Sequence, residues 1–221
     1  MAPKSAFEAL RAQPRWLWAF AVTCVLGMTG AALQIPAGVH IATVATARRV
    51  ASDPNLAGSS PEKVAQLTQF AVATQHWIWL IYPGFVLIAL AFAAVIMLVG
   101  NALGHGSANF TRLFALAAHV AIVSYGAGFL VVGILSTLHP TEDFSGQTDL
   151  LKLVPCLAWA APDASPRVTA ILAHVNPFQI WSYILLAIGL RTVATLRPIA
   201  AYTTAAAVQI GAALTAAAFA R

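Results

Sequence analysis

Charged residues are scarce in this sequence. Only 9% of the 221 residues are Asp, Glu, Lys or Arg, whereas 60% are hydrophobic, and the mean hydropathy is +0.79. So few polar side chains cannot cover the surface of a soluble globule of this size. The composition therefore predicts an integral membrane protein whose surface is solvated mainly by lipid.

Cysteine and clustered positive charge are also scarce, and each scarcity excludes a class of protein. The two cysteines, Cys24 and Cys156, stand alone in different segments, which excludes a disulfide framework and a CxxC metal pair. The formal net charge is only +5 and is spread over termini and loops, so the sequence lacks the basic face that nucleic acids require. We expect no nucleic-acid partner.

The familiar catalytic motifs are missing as well. The sequence contains no G-x-S-x-G nucleophile motif, no Walker-type Gly-Lys-Ser/Thr loop and no Ser-Lys signature. His139, Glu142, Asp143 and His174 could in principle meet as metal ligands at one face, but no H-x-x-x-H or H-E-x-x-H spacing joins them. We therefore expect a protein without catalytic, cofactor-binding or metal-binding residues.

What the sequence has in abundance is long apolar runs. Residues 77–102 and 110–138 contain no Asp, Glu or Lys, and each run can cross roughly 30 Å of hydrocarbon as a helix. The connector between them, residues 103–109, is rich in Gly, Ser and Asn and suits water. These two runs predict a transmembrane hairpin.

Three further apolar runs, at 17–35, 168–190 and 198–220, bring the predicted number of spans to five. We expect an all-α fold, a five-helix transmembrane bundle formed by residues 17–221 and preceded by an interfacial segment, residues 1–16. In that segment a short helix over 5–13 would lie on the membrane surface. Further helices are predicted over 37–51 and from Ser60 to the interface at Trp77, and an interfacial or re-entrant helix is predicted over 150–161.

The distribution of basic residues predicts the orientation. Each side of the membrane carries six basic residues. On the side of the N-terminus they lie in short segments, whereas on the opposite side they are spread over longer segments and their charge is largely offset by acidic residues. The first set is Lys4, Arg11, Arg15, Arg112, Arg191 and Arg197, and the second is Arg48, Arg49, Lys63, Lys152, Arg167 and Arg221. Since Lys and Arg in short loops dominate orientation, we expect a multi-pass protein of a prokaryotic cytoplasmic membrane with its N-terminus in the cytoplasm.

Few polar residues lie at hydrocarbon depth, and these are the candidate functional residues. His119 could join Tyr125, or Asn176 and Gln179 on another helix, in a hydrogen-bond network; alternatively its imidazole could carry a proton or bind substrate. His174 lies near the outer end of the fourth run.

Two glycines of the connector, Gly104 and Gly106, form a second candidate group. We expect them to adopt positive φ in a tight turn, which a Cβ would penalise. Their role would then be geometric rather than chemical.

Small residues recur within the spans. Gly27, Gly30, Gly126, Gly128 and Gly211 would allow close backbone approach between helices. The pattern favours packing within one chain and leaves a homo-oligomer open.

Two stretches resemble a known family. Residues 101–114, NALGHGSANFTRLF, and residues 176–190, NPFQIWSYILLAIGL, are similar to the prokaryotic branch of the Yip family, named for members that interact with Ypt/Rab GTPases. The resemblance covers residues 77–197 and rests on a span ending at a Gly-rich turn, a long third span, and a Phe-x-x-Trp motif followed by Leu-x-x-Gly-Leu.

The resemblance implies a non-enzymatic membrane scaffold or adaptor, which would use helix faces and the turn at 103–110 for membrane organisation or trafficking-like processes. A transporter or channel for a small or lipidic substrate is the alternative. The expected partner is the lipid bilayer. The sequence does not identify a protein partner.

Overall fold

The computed structural model describes residues 3–56 and 58–220, which form ten α-helices and no strand. The helices are α1 Pro3–Ala12, α2 Leu17–Leu33, α3 Ile35–Ser52, α4 Pro61–Leu103, α5 Phe110–Ala121, α6 Gly128–Thr137, α7 Gln147–Leu151, α8 Pro166–Ala173, α9 Pro177–Val193 and α10 Pro198–Phe219. A π-helical segment, Ile122–Ala127, joins α5 to α6. The predicted all-α fold is confirmed.

Three helical stretches are long and apolar enough to cross a membrane unaided: α4, the continuous stretch Phe110–Thr137, and α10. Two further stretches qualify only as bent pairs, α2 with α3 at 56° and α8 with α9 at 54°. Counting each bent pair as one span gives five, the predicted number. The chain is a polytopic membrane protein.

Helix α4 is longer than the sequence predicted. The helix that starts at Ser60 and the span from Trp77 were expected as separate elements, but they form one helix of 43 residues. At 1.5 Å per residue it is about 64 Å long, roughly twice the hydrocarbon thickness. Its predicted start is correct, because the Ser60 side chain accepts a hydrogen bond from the Lys63 amide at 3.4 Å.

The fourth span was predicted as one continuous helix over 168–190, and this was wrong. The chain breaks between Ala173 and Pro177, where Asn176 caps α9 by accepting a hydrogen bond from the Gln179 amide at 3.1 Å. Pro177 follows at the start of α9, a position that suits proline because its missing N–H would be unpaired there anyway. Asn176-Pro177 thus starts a new helix within an apolar run. Hydrophobicity alone did not reveal this start.

Two other predicted boundaries also changed. The first span ends at Leu33 rather than Ile35, and α3 continues at an angle up to Ser52. The helix expected over 150–161 is not formed: α7 stops at Leu151, and only a 3-10 turn, Leu157–Ala160, follows. Pro155 lies between the two pieces and cannot donate to a helical hydrogen bond.

Helix α1 packs on protein. Its apolar side carries Phe7 and Leu10, as predicted, and both side chains are buried in the main core. They cover α9 and α5, where the sequence predicted packing on lipid. The N-terminal helix therefore closes one end of the bundle.

Close helix crossings at glycines hold the bundle together. A Cβ built on Gly133 of α6 would lie 2.7 Å from the Gly30 Cα of α2, and one on Gly30 would lie 2.6 Å from the Phe129 carbonyl carbon. Both contacts are to backbone, which cannot move aside as a flexible side chain can. Gly30 was predicted to allow close approach, whereas Gly133 was not.

This crossing gives a stability prediction. Gly133→Ala should lower the free energy of unfolding by about 1–3 kcal/mol, the usual cost of overpacking. Gly84→Ala is the matched control, because a Cβ on Gly84 meets no atom within 4 Å and alanine favours a helix over glycine by about 0.5–1 kcal/mol. Thermal unfolding in detergent measures both, and equal midpoints would contradict the close crossing.

Candidate functional site at the double turn

The connector between α4 and α5 does not stand alone. It packs against the connector between α9 and α10, and we call residues 103–109 and 194–197 together the double turn. The Ser107 amide donates a hydrogen bond to the Ala194 carbonyl at 3.0 Å. The hydroxyl oxygens of Ser107 and Thr195 also lie 3.0 Å apart. Two loops distant in sequence therefore form one surface.

Asn101 holds the first connector from beneath. Its side chain is 6% exposed; its Nδ2 donates to the Ala108 carbonyl at 3.0 Å, and its Oδ1 accepts from the Ala108 amide at 3.4 Å. The Asn101 carbonyl accepts from the Gly106 amide at 2.7 Å. One buried residue thus pairs with three backbone groups of the turn. The sequence interpretation missed this role, although a lone polar residue ending an apolar run could have indicated it.

The left-handed residues of the double turn are His105, with φ 54°, and Thr195, with φ 55°. The prediction of positive φ at Gly104 and Gly106 was wrong: Gly104 ends α4 at φ −89°, and neither glycine is among the positive-φ residues.

Space explains these glycines instead. A Cβ on Gly106 would meet Asn101 Oδ1 and lie 2.9 Å from the Ala194 carbonyl oxygen. One on Gly104 would lie 2.8 Å from Leu196 Cδ2 and 3.0 Å from Ala200 Cβ. The glycines leave the space that the two connectors need to approach each other.

The outer side of the double turn combines apolar and basic groups. Leu103 is 78% exposed, and Phe110 is also exposed. Arg112, Arg191 and Arg197 lie within or beside the two connectors, and neither connector contains an acidic residue. The surface can therefore offer an apolar contact within a positive field.

His119 does not form the predicted network. Its Nδ1 lies 2.7 Å from the Ala115 carbonyl oxygen of its own helix, and since a carbonyl only accepts, Nδ1 carries the proton. The ring meets Trp18 edge to face, with centroids 4.8 Å apart. His119 therefore joins α5 to α2 by ring packing, without a hydrogen bond to Tyr125, Asn176 or Gln179.

Tyr125 contributes its backbone. It lies in the π-helical segment, where its carbonyl accepts a hydrogen bond from the Tyr82 hydroxyl of α4. π-Helical turns disturb the regular ladder and are frequent at functional positions. Here Tyr82 of α4 pairs with a carbonyl of the π-helical segment. Gly27 of α2 leaves the space that the Tyr82 ring occupies.

The remaining candidates lie at the break between α8 and α9. Asn176 and Gln179 form the cap described above, and Asn176 also donates to the Ala173 carbonyl at 2.9 Å. His174 ends α8, and its Nε2 is buried without a hydrogen-bond partner among the described residues. Nothing brings these three residues together with His119 in the contacts of the described chain.

The charged residues of the loop after α6 form a small exposed pair. His139 Nδ1 and Asp143 Oδ2 are 3.9 Å apart. Among residues 3–56 and 58–220, no three His, Cys, Asp or Glu side chains are grouped closely enough to hold a metal ion.

Comparison with protein families adds to this geometry. The model of the Yip1 domain matches residues 1–219. The chain belongs to the Yip1 domain family. The match extends the resemblance seen at 77–197 over nearly the whole sequence, so α1 and the double turn both fall within the Yip1 domain. No curated protein and no solved structure matches the chain.

Substitutions in the double turn of this Yip1 domain test its geometry. His105→Gly should stabilise the fold by about 1 kcal/mol, because glycine adopts the left-handed conformation without a Cβ penalty. Gly106→Ala should destabilise it, because the new Cβ would collide with Asn101 and the Ala194 carbonyl. Thermal unfolding in detergent distinguishes the two, and stabilisation by Gly106→Ala would contradict the close approach of the connectors.

Proposed function

We propose that this Yip1 domain protein is a non-enzymatic membrane scaffold that binds a partner protein through the double turn. The observation that carries the proposal is that Ser107 hydrogen-bonds to Ala194 and Thr195 of the second connector, while Asn101 fixes the first connector from beneath. A surface fixed in this way loses little conformational entropy on binding. The basic residues beside it favour a partner with an acidic face, and the proposed orientation exposes it to the cytoplasm.

Leu103 is the central residue of this surface. An aliphatic side chain that is 78% exposed at the end of a span can be buried by a partner, which would gain roughly 1.5–3 kcal/mol for complete burial. The chain offers a close match at the other end of the bundle, since Leu138 also follows a span and is 72% exposed. A second copy of the chain is one partner that this surface could accept.

The two leucines give a matched test. Leu103→Glu should weaken partner binding at least tenfold, because it replaces the apolar contact with a charge, while Leu138→Glu should leave binding unchanged. Proximity labelling in native membranes, followed by binding of the identified partner to purified variants in nanodiscs, measures the effect. Equal binding by both variants would reject the double turn as the docking surface.

A transporter is the second candidate, and a specific observation favours it. The sequence showed few broken helices, yet the structure has two bent pairs and a π-helical segment, and discontinuous helices commonly form substrate sites in transporters. His119 is the side chain at hydrocarbon depth that could carry a proton along such a path.

His119→Leu separates the two candidates. In a scaffold the substitution removes a local hydrogen bond and a ring contact with Trp18, so the protein should fold with a loss of about 1–2 kcal/mol. Vesicles containing wild-type protein should show no pH-dependent flux. Reproducible flux that disappears in His119→Leu, while folding is retained, would replace the scaffold with the transporter.

A further inference from the structure

A cavity of about 270 Å³ lies at the end of the bundle opposite the double turn. It lies where α2 bends into α3. Its other walls are the middle of α4, the start of α6, and α7. Its lining includes three glutamines among apolar side chains: Gln34, Gln75 and Gln147, with Ile78, Ile81 and Phe129.

Two of the three amides lack a partner within the protein. Gln34 donates to the Gly30 carbonyl at 3.1 Å, whereas the side chains of Gln75 and Gln147 make no hydrogen bond to any of the described residues. Gln75 Oε1 lies directly over Gly38, where a Cβ would be only 2.8 Å away. Gln75 is half-buried and Gln147 is exposed, so both amides keep donors and acceptors that a ligand entering the cavity can use.

The cavity lies at the depth of the lipid ester groups. Helix α2 has 17 residues and rises about 25 Å from its start at Leu17, which places Gln34 near the opposite surface of a hydrocarbon layer roughly 30 Å thick. Gln75 precedes Trp77 and Trp79, and tryptophans mark the membrane interface. Two separate helices thus place the amides at the boundary between hydrocarbon and headgroups.

The cavity is also open sideways. Ile78 and Ile81 line it and are 39% and 67% exposed on α4. The same two residues line a neighbouring apolar groove with Phe70 and Trp77. An acyl chain that leaves the cavity past Ile78 and Ile81 can therefore lie against the lipid-facing side of α4.

The chemistry of the lining selects the ligand. Primary amides both donate and accept hydrogen bonds, which suits ester carbonyls and a free hydroxyl, and none of the described residues in the lining carries a charge that would recognise a phosphate. The volume equals roughly nine waters of about 30 Å³ each, enough for a glycerol backbone with its ester groups. We propose that the cavity binds a neutral glycerolipid of the diacylglycerol class, with Gln75 and Gln147 as its hydrogen-bonding residues.

Photocrosslinking tests the site. The full chain is placed in phosphatidylcholine nanodiscs with a diacylglycerol that carries a diazirine in one acyl chain, and crosslinked peptides are located by mass spectrometry. Labelling should concentrate on Ile78, Ile81 and their neighbours on α4. The double variant Gln75→Leu/Gln147→Leu should label about eightfold less, since one hydrogen bond within a membrane contributes about threefold to binding.

Controls make each outcome decisive. Gln209→Leu on α10 removes an amide outside the cavity and should label like the wild type. Ala31→Phe fills the cavity and should abolish labelling; if it fails to fold, the single glutamine variants, each expected to lose about threefold, replace it. The proposal is overturned if the glutamine variants label like the wild type, if crosslinks map elsewhere, or if a phosphatidic acid probe labels the cavity as strongly. Partner binding through Leu103 is a separate measurement, so failure of one proposal does not affect the other.

Discussion

The constraint on which this structure depends is that a backbone amide or carbonyl in hydrocarbon must find a hydrogen-bond partner within the protein. Regular helices meet it automatically, so the informative positions are those where helices stop or deform. At three of them a particular side chain supplies a hydrogen-bond partner. Asn176 caps α9, Asn101 satisfies the first connector, and the Tyr82 hydroxyl pairs with a carbonyl of the π-helical segment.

The same positions explain which features the sequence could predict. Hydrophobicity and length identified the membrane class and the central hairpin, because those properties follow directly from the composition of 77–102 and 110–138. The breaks at Gln34 and Asn176 were missed because an apolar run looks the same whether the helix within it is straight or bent. Only a local cap reveals the difference, and Asn176-Pro177 was such a cap within residues that hydrophobicity alone assigned to one span.

The geometry of the candidate site was only partly visible in the sequence for a different physical reason. The Gly-rich connector drew attention to this loop, yet its geometry also depends on Asn101 beneath it and on the contacts of Ser107 with Ala194 and Thr195, about 90 positions away in the chain. Pairing of this kind leaves no periodic pattern in a single sequence. The positive φ belongs to His105 because the glycines are needed where the second connector approaches.

Helix α4 relates the two proposed sites. Between Val86 and Asn101 it buries a residue at every turn, whereas N-terminal to Tyr82 it buries none. Pro83, at the junction, removes one hydrogen bond from the ladder. Buried contacts determine local stability, so the half of α4 that supports the double turn is rigid and the half beside the glutamine cavity opens at lower cost. The rigid half suits a surface that docks a protein. The half that opens at lower cost suits a cavity that a lipid enters from the side.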